Sequence, residues 1–160
     1  MPSLVRLDDP DVRCVGVVLL VAMLLIGALI LEHGFALLPC ALCLMQRIWV
    51  MVAGIVVAVS LAHDTRRRVY PVLASLAALI GAGFSLRQLW IMAFPDSAPA
   101  CGADINYLIE VFPAAEVLQA MTFGTGNCAD HSAAIPLSAL GGFVAIIAWA
   151  VWHLRRLSRA

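Results

Sequence analysis

Four long segments that hold almost no charged side chain constrain the fold of this chain more than any other feature. Three of them contain 18 consecutive uncharged residues each: Cys14–Leu31, Val69–Leu86 and Ile135–Trp152. The fourth, Leu37–Ala62, is interrupted only by Arg47. A helix needs about 20 mostly apolar residues to cross the hydrocarbon layer of a membrane, and lipid offers the backbone no hydrogen-bond partners. The sequence therefore predicts four transmembrane helices.

The composition also indicates a membrane protein. Of the 160 residues, 63% are hydrophobic and 12% are charged, whereas about a quarter of the residues in a soluble domain are charged. The formal net charge is zero, so no nucleic-acid partner is expected. The acidic leader and the length of the first segment argue against a cleaved signal peptide. We predict an all-α membrane protein that forms one four-helix domain over residues 1–160, with spans near 14–32, 41–62, 69–89 and 135–153.

The connections between the predicted spans differ in length. Residues 32–40 and 63–68 are predicted turns, whereas the loop 90–134 is long and rich in proline, glycine, aspartate and cysteine. Within this loop, apolar residues recur near helical spacing over 106–123 (NYLIEVFPAAEVLQAMTF), and Pro113 divides the segment into two pieces. We predict a short amphipathic helix at the membrane interface here. A loop helix that packs on the bundle is the equally open alternative.

Arginine supplies all ten basic residues, and eight of them fall on one side of a four-span layout. Because cytoplasmic loops carry the excess of basic residues, both termini are predicted to lie in the cytoplasm of a bacterial inner membrane. The long loop, which holds no arginine, then lies in the periplasm. Disulfides persist on that face. The layout places four of the five cysteines there: Cys40, Cys43, Cys101 and Cys128.

Cys40 and Cys43 form a C-x-x-C motif at the start of the second span. This spacing lets one thiolate attack a disulfide while the second resolves the mixed disulfide. On a helix, Arg47 shares a face with both cysteines, and its cation and the helix N-terminus both favour a thiolate. Because a charge at this depth in a membrane marks a functional site by default, we expect Arg47 to donate to a bound carbonyl or anion. The alternative is that it only reaches back to the interface.

The second pair of cysteines indicates a relay. Cys101 and Cys128 are separated by 26 residues, and on an oxidising face we expect them to pair. Electrons would enter at this loop pair and pass to Cys40 and Cys43 by thiol–disulfide exchange. A lipid-soluble quinone is the acceptor that a bilayer can supply. The alternative is a four-span protein whose disulfides are purely structural; no metal site is expected, because the outer-face histidines match no zinc-ligand spacing.

Four spans, the segment PCALCLMQR and the loop pair together resemble the disulfide bond formation protein B (DsbB) family, which are bacterial inner-membrane thiol:quinone oxidoreductases. The resemblance implies that Cys101 forms the mixed disulfide with reduced DsbA, a periplasmic thiol oxidase. It implies that Cys128 pairs first with Cys101 and then with Cys40. It also implies that Cys43 donates electrons to ubiquinone or menaquinone, and that Arg47 contacts this quinone.

One feature departs from the family pattern. Some relatives carry a histidine near the quinone, but no histidine occurs between Trp90 and Cys101 in this chain. Arg87, at the outer end of the third span, is a candidate for that second contact. The alternative is that Arg87 only anchors the span at the interface.

Overall fold

The structure, a computed structural model, describes residues 9–34, 40–94, 110–124 and 132–159. Four of its helices are long and apolar enough to cross a membrane, and each contains one predicted span. The predicted fold class, an all-α protein with four membrane-length helices, is thereby confirmed. The helices are α1 (Pro10–Gly34), α2 (Ala41–His63), α3 (Val69–Ala93), α4 (Ala114–Phe123) and α5 (Ala134–Leu157).

The end of α1 matters for the site. The predicted first span ends near residue 32, where the predicted turn 32–40 begins, and α1 continues two residues further, to Gly34. Glu32 is therefore a helical residue whose side chain can face a neighbouring helix. The helix continues because the two residues after Glu32 still allow helical backbone, and the side-chain ring of His33 lies 3.2 Å from the Leu29 carbonyl one turn earlier.

The four long helices form a ring in which α3 packs against α2 and α5, and α1 packs against the same two helices. Thr65, in the turn between α2 and α3, donates to Asp11 (2.7 Å), and its carbonyl oxygen lies 2.9 Å from His153 Nε2. These contacts join the start of α1, the α2–α3 turn and the end of α5 at one end of the bundle. We call it the arginine end, and the opposite end, which holds Cys40 and Cys43, the cysteine end. The described arginines of the arginine end are Arg13, Arg66, Arg67, Arg68, Arg155, Arg156 and Arg159.

Small side chains lie inside the bundle beside a few large ones, and many large apolar side chains lie on its outer surface. Ala53, Ala74 and Ala78 are fully buried at its centre, whereas Met23 and Ile55 are 69% and 62% exposed. Water would make such an outer surface unfavourable, because a soluble monomer rarely exposes large contiguous apolar patches. Lipid makes it favourable, and in lipid the helices associate through close packing of small residues. The burial pattern therefore agrees with a multi-pass membrane protein.

Glycine allows the closest helix contacts in this ring. At three positions within the four long helices, a Cβ atom added to a glycine would overlap a side chain of a neighbouring helix. One contact joins α2 to α1, one joins α3 to α5, and one joins α5 to α1. The pairs are Gly54 with Val21, Gly81 with Phe143, and Gly142 with Leu24.

Helix α4 begins directly after Pro113, whose carbonyl oxygen accepts from the backbone N–H groups of Glu116 (2.9 Å) and Val117 (3.2 Å). The predicted break at this proline is confirmed, while most of the first predicted piece, 106–112, lies outside the described residues. The helix packs on α2. After it, Gly124 has a φ of 84°, a left-handed conformation that glycine adopts without strain. The position of α4 at the membrane interface stays a prediction.

Substituting Gly81 by alanine should lower the free energy of unfolding by about 1–3 kcal/mol, because the added Cβ would overlap the buried ring of Phe143. The matched control is Gly83→Ala on the same helix, where nothing lies within 4 Å of the added Cβ. That change should be neutral or stabilise by up to about 1 kcal/mol, because alanine favours helix over glycine. Unfolding in mixed micelles of dodecyl maltoside and SDS measures both. Equal effects of the two substitutions would contradict the proposed packing role of Gly81.

Candidate functional site

The start of α2 positions the two cysteines of the C-x-x-C motif. Cys40 is the N-cap residue, with extended backbone (φ −75°, ψ 165°), and its carbonyl oxygen accepts from the Leu44 N–H (3.2 Å). Cys43 lies in the first turn of the helix, and both cysteines are 5% exposed. Their sulfur atoms are 3.0 Å apart, so about 1 Å of approach would reach the length of an S–S bond. Both sulfurs also lie at the positive end of the helix dipole, which stabilises negative charge.

Two buried glutamines lie beside these sulfurs. Gln88 of α3 is fully buried, and its side-chain Nε2 donates to Cys43 Sγ (3.3 Å) and to Cys40 Sγ (3.6 Å). Gln46 of α2 is 3% exposed, and its Nε2 donates to Gln88 Oε1 (2.7 Å). A buried amide without hydrogen bonds costs several kcal/mol in an apolar medium. The two amides and the two sulfurs therefore satisfy one another within the bundle.

Arg47 is paired with an acidic residue of α1. Its Nη1 forms an ion pair with the Glu32 carboxylate, and its Nη2 donates to the Ala28 carbonyl oxygen (3.3 Å). The two charged side chains are 22% and 27% exposed. The pair offsets the cost of holding a cation this far inside an apolar helix. These two contacts use two of the five N–H groups that a guanidinium carries.

A cavity of about 420 Å³ lies next to the motif, lined by residues of α1, α2 and α5. Helix α1 contributes most of its apolar wall. The polar groups in its lining come chiefly from α2 and from the end of α1: Cys43, Gln46, Arg47 and Glu32. Such a site, mostly apolar with a few polar groups that fix orientation, is typical of small-molecule binding.

The structure brings some of the predicted site residues together and leaves others outside the described residues. Cys40, Cys43 and Arg47 lie at one end of the bundle, and the last two line one cavity. Glu32 and the Ala28 carbonyl oxygen of α1 bind Arg47, and both its donation to a ligand and the alternative of a purely interfacial role stay predictions. Cys101 and Cys128, together with the loop around them, lie outside the described residues.

Arg87 does not share the cavity with Cys43. It is exposed on α3, and its Nε donates to the carbonyl oxygen of Phe123 at the end of α4 (3.4 Å). This contact fits an anchoring role better than the second ligand contact for which Arg87 was a candidate. The cavity lining instead adds the hydroxyl-bearing Ser138 of α5.

Three polar residues of the site, Glu32, Gln46 and Gln88, were not predicted from the sequence. Each had a recognisable signal, because a polar side chain inside or at the edge of an apolar span is unfavourable unless a neighbouring helix satisfies it. Gln46 lies within the segment that carries the cysteines, and Gln88 lies just after the third charge-free segment. The signal identifies such residues as satisfied inside the bundle but does not say which partners satisfy them.

The arrangement can support thiol–disulfide chemistry next to a bound apolar molecule. The helix N-terminus and the Gln88 amide both stabilise negative charge on sulfur. The two sulfurs are close enough to form or open an S–S bond with little backbone movement. The Arg47 cation and the Cys43 sulfur both reach the cavity, so a ligand there would meet a hydrogen-bond donor and a reactive sulfur together.

Comparison with known proteins agrees with this chemistry. A family model described as disulfide bond formation protein DsbB matches residues 11–154. The disulfide bond formation protein B of Saccharophagus degradans is 37% identical over 149 residues, which cover 88% of this chain and 86% of the relative. The protein of the same name from Chromobacterium violaceum is 38% identical (88% and 93% covered), and that from Marinobacter nauticus is 44% identical (72% and 71%). No solved structure matches the chain.

Removing one charge of the Glu32–Arg47 pair should destabilise the bundle, because the other charge is then left partly buried without its partner. We expect Glu32→Gln and Arg47→Gln each to lower the free energy of unfolding by about 1–3 kcal/mol. The double variant should lose less than the sum of the two. A double-mutant cycle in mixed micelles measures this coupling.

The control is the exposed ion pair of Asp64 and Arg67 at the arginine end, whose charged atoms are 3.8 Å apart. A cycle with Asp64→Asn and Arg67→Gln should give no measurable coupling, because water screens exposed pairs. Additive losses at Glu32 and Arg47 would contradict a direct energetic link between those two residues.

Proposed function

The chain belongs to the DsbB family of disulfide bond formation proteins, and we propose that it reoxidises a periplasmic DsbA-like thiol oxidase and passes the electrons to membrane quinone. Family membership gives the chain a role in disulfide bond formation, as a disulfide-forming oxidoreductase. The single observation that carries the finer proposal is the cavity with Cys43 and Arg47 in its lining. A protein with purely structural disulfides has no need of a reactive sulfur and a cation in one apolar cavity.

The lining residues fit a quinone. A quinone has an apolar ring and tail and two carbonyl oxygens, and the cavity offers apolar walls from α1 and α5 with polar groups near one end. Arg47 would donate to a carbonyl oxygen, and Glu32 would hold the guanidinium in place. The volume of about 420 Å³ lies within the range of small-molecule sites. Ubiquinone and menaquinone both fit these groups, because both present the same carbonyl chemistry.

The protein's own residues would then act as follows. Two electrons and two protons leave the dithiol of the soluble partner, whose S–S bond forms while an S–S bond of this chain opens. By exchange, the two electrons reach Cys40 and Cys43. One proton stays on Cys40, the other passes to the solvent, and Cys43 is left as the thiolate beside the cavity. When bound, a quinone supplies the acceptor for two electrons and two protons. As the electrons leave, the S–S bond between Cys40 and Cys43 forms again.

In this scheme Cys101 forms the mixed disulfide with the DsbA-like partner, and Cys128 pairs with Cys101 and then with Cys40. DsbA has a known reduction potential of about −120 mV, whereas cytosolic glutathione lies at about −220 mV or lower. Glutathione disulfide is therefore too weak an oxidant to regenerate it. A respiratory quinone is the stronger acceptor that the membrane provides.

We further propose that the protein lies in the bacterial inner membrane with both termini in the cytoplasm. The support is the distribution of charge, because seven of the described arginines share one end of the bundle. Contacts of Thr65 with Asp11 and His153 hold that end together. Under the positive-inside rule the arginine end faces the cytoplasm, and the cysteine end then faces the oxidising periplasm.

Purified in dodecyl maltoside with ubiquinone, the protein should oxidise reduced DsbA catalytically, and Cys43→Ser should abolish turnover because the electron-donating sulfur is missing. Loss of DsbA thiols and of quinone absorbance measure the reaction. The control is Cys14→Ser, because Cys14 is buried in α1 near the arginine end and should leave turnover unchanged. Full turnover by the Cys43→Ser variant would refute the assignment of the electron donor, and absence of turnover in the parent protein would refute the proposed function.

Arg47→Ala should raise the apparent KM for quinone about tenfold, because a hydrogen bond from a charged donor to the carbonyl oxygen is lost. Initial rates at saturating DsbA and varied quinone measure the effect. The matched control is Arg87→Ala, which removes an exposed arginine bound to Phe123 and should leave the KM unchanged. An unaltered KM in Arg47→Ala, with the variant folded, would refute the proposed quinone contact.

A further inference from the structure

The Gln88 side chain is a fully buried polar group at the cysteine end, and nothing in the proposed electron transfer uses it. It lies on α3, which contributes no residue to the described lining of the cavity. Its side-chain amide nevertheless donates to both sulfurs of the C-x-x-C motif, although Cys43 lies 45 residues earlier in the chain. Burying an amide in a membrane span costs free energy unless hydrogen bonds offset it. We therefore expect such a group to serve either the packing of the bundle or its chemistry. The geometry allows these two roles to be separated.

The orientation of the Gln88 amide is set by Gln46. Because Gln46 Nε2 donates to Gln88 Oε1 at 2.7 Å, the Nε2 group of Gln88 points to the sulfurs, at 3.3 Å from Cys43 and 3.6 Å from Cys40. The opposite bond, from the Cys43 thiol to Gln88 Oε1, would be 3.6 Å long and would share an oxygen that already accepts from Gln46. The geometry therefore favours Cys43 as the acceptor.

An N–H donor acts differently on the two redox states of Cys43. In a disulfide the sulfur is a weak acceptor, whereas a thiolate accepts a charge-assisted hydrogen bond of about twice the strength of a neutral one. Whatever stabilises the reduced form of a cysteine pair makes the disulfide a stronger oxidant, as in DsbA. The nearer of the two contacts is to Cys43, the sulfur that also lines the cavity.

We propose that Gln88 is a catalytic residue that donates its side-chain N–H to the Cys43 thiolate and thereby makes the Cys40–Cys43 disulfide a stronger oxidant. Gln46 is the positioning residue that orients the Gln88 amide. The inference rests on the proposed function, in which Cys43 is the electron donor. Reduction opens the Cys40–Cys43 S–S bond with two electrons from a dithiol. Of the two protons that the dithiol loses, one goes to Cys40 and the other passes to the solvent, and the Cys43 thiolate keeps the hydrogen bond from Gln88.

The test measures the equilibrium between the Cys40–Cys43 pair and glutathione in the full chain, with Cys14, Cys101 and Cys128 replaced by serine so that one pair remains. The protein is purified in dodecyl maltoside without quinone or DsbA, equilibrated over a series of reduced and oxidised glutathione ratios, and quenched with a maleimide-polyethylene glycol that shifts the reduced form on a gel. Gln88→Met keeps the length of the side chain and removes its amide. The pair in this variant should be about tenfold harder to reduce, which corresponds to about 30 mV for a two-electron couple.

The matched control is Gln119→Met, the same change at an exposed glutamine of α4, which should leave the equilibrium constant within twofold of the parent. Thermal unfolding of the oxidised and reduced forms supplies a second readout. If Gln88 is purely structural, Gln88→Met lowers the melting temperatures of both forms equally and leaves the equilibrium constant unchanged, and that result would overturn the proposal. If Gln88 is catalytic, Gln88→Met destabilises the reduced form more than the oxidised form.

If Gln88→Met does not fold, Gln46→Met decides the question, because it keeps the Gln88 donor and removes only its orienting bond. A shift in the same direction by about threefold supports the proposal, and an unchanged constant overturns it. Since the assay contains neither quinone nor DsbA, its outcome is separate from that of the proposed function. A shifted constant without turnover would overturn the proposed function alone, whereas turnover with an unshifted constant would overturn the role of Gln88 alone.

Discussion

Lipid cannot solvate a polar side chain, and the cysteine end of this bundle depends on that constraint. Each polar group there has to find its hydrogen-bond partner on another helix or on the same short stretch of chain. Arg47 of α2 binds Glu32 of α1, and Gln46 of α2 binds Gln88 of α3. The two contacts join α2 to both of its neighbours in the ring. The polar groups that serve the chemistry therefore also fix the relative positions of three helices.

Helix α2 holds the cysteine motif between two different environments. The cavity of about 420 Å³ between α1, α2 and α5 is mostly apolar and reaches Cys43. Gln88 of α3 supplies an amide donor to the same sulfur. An apolar cavity favours a lipid-soluble ligand, whereas an amide donor favours charge on sulfur. Because Cys43 lies in the first turn of a helix that is held on both sides, its sulfur keeps one position relative to both environments, as a reactive group requires.

The features that were predicted from the sequence lie within single segments of the chain, whereas the features that were missed are contacts between distant segments. The spans and the motif are local features, since an uncharged run or a C-x-x-C spacing is complete within one segment of chain. That Cys43 and Arg47 share a helix face also follows from spacing along one segment. The partners of these residues are not local. Glu32 lay at the boundary between the predicted span and the predicted turn, because the end of a helix that leaves the apolar layer is weakly marked in sequence, and the structure extends α1 past it to Gly34.

The sequence by itself determined that the protein lies in lipid, that it has four membrane-length helices, and which residue types form its cysteine motif. Hydrophobic run length and cysteine spacing are properties of single segments. Only the tertiary structure decided that Arg47 meets Glu32, that Gln88 meets the two sulfurs, and that Cys43 borders a cavity. The reason is geometric. Which faces of two helices meet depends on their rotation and crossing, and these are set by small contacts such as Gly54 against Val21, which hydropathy does not encode.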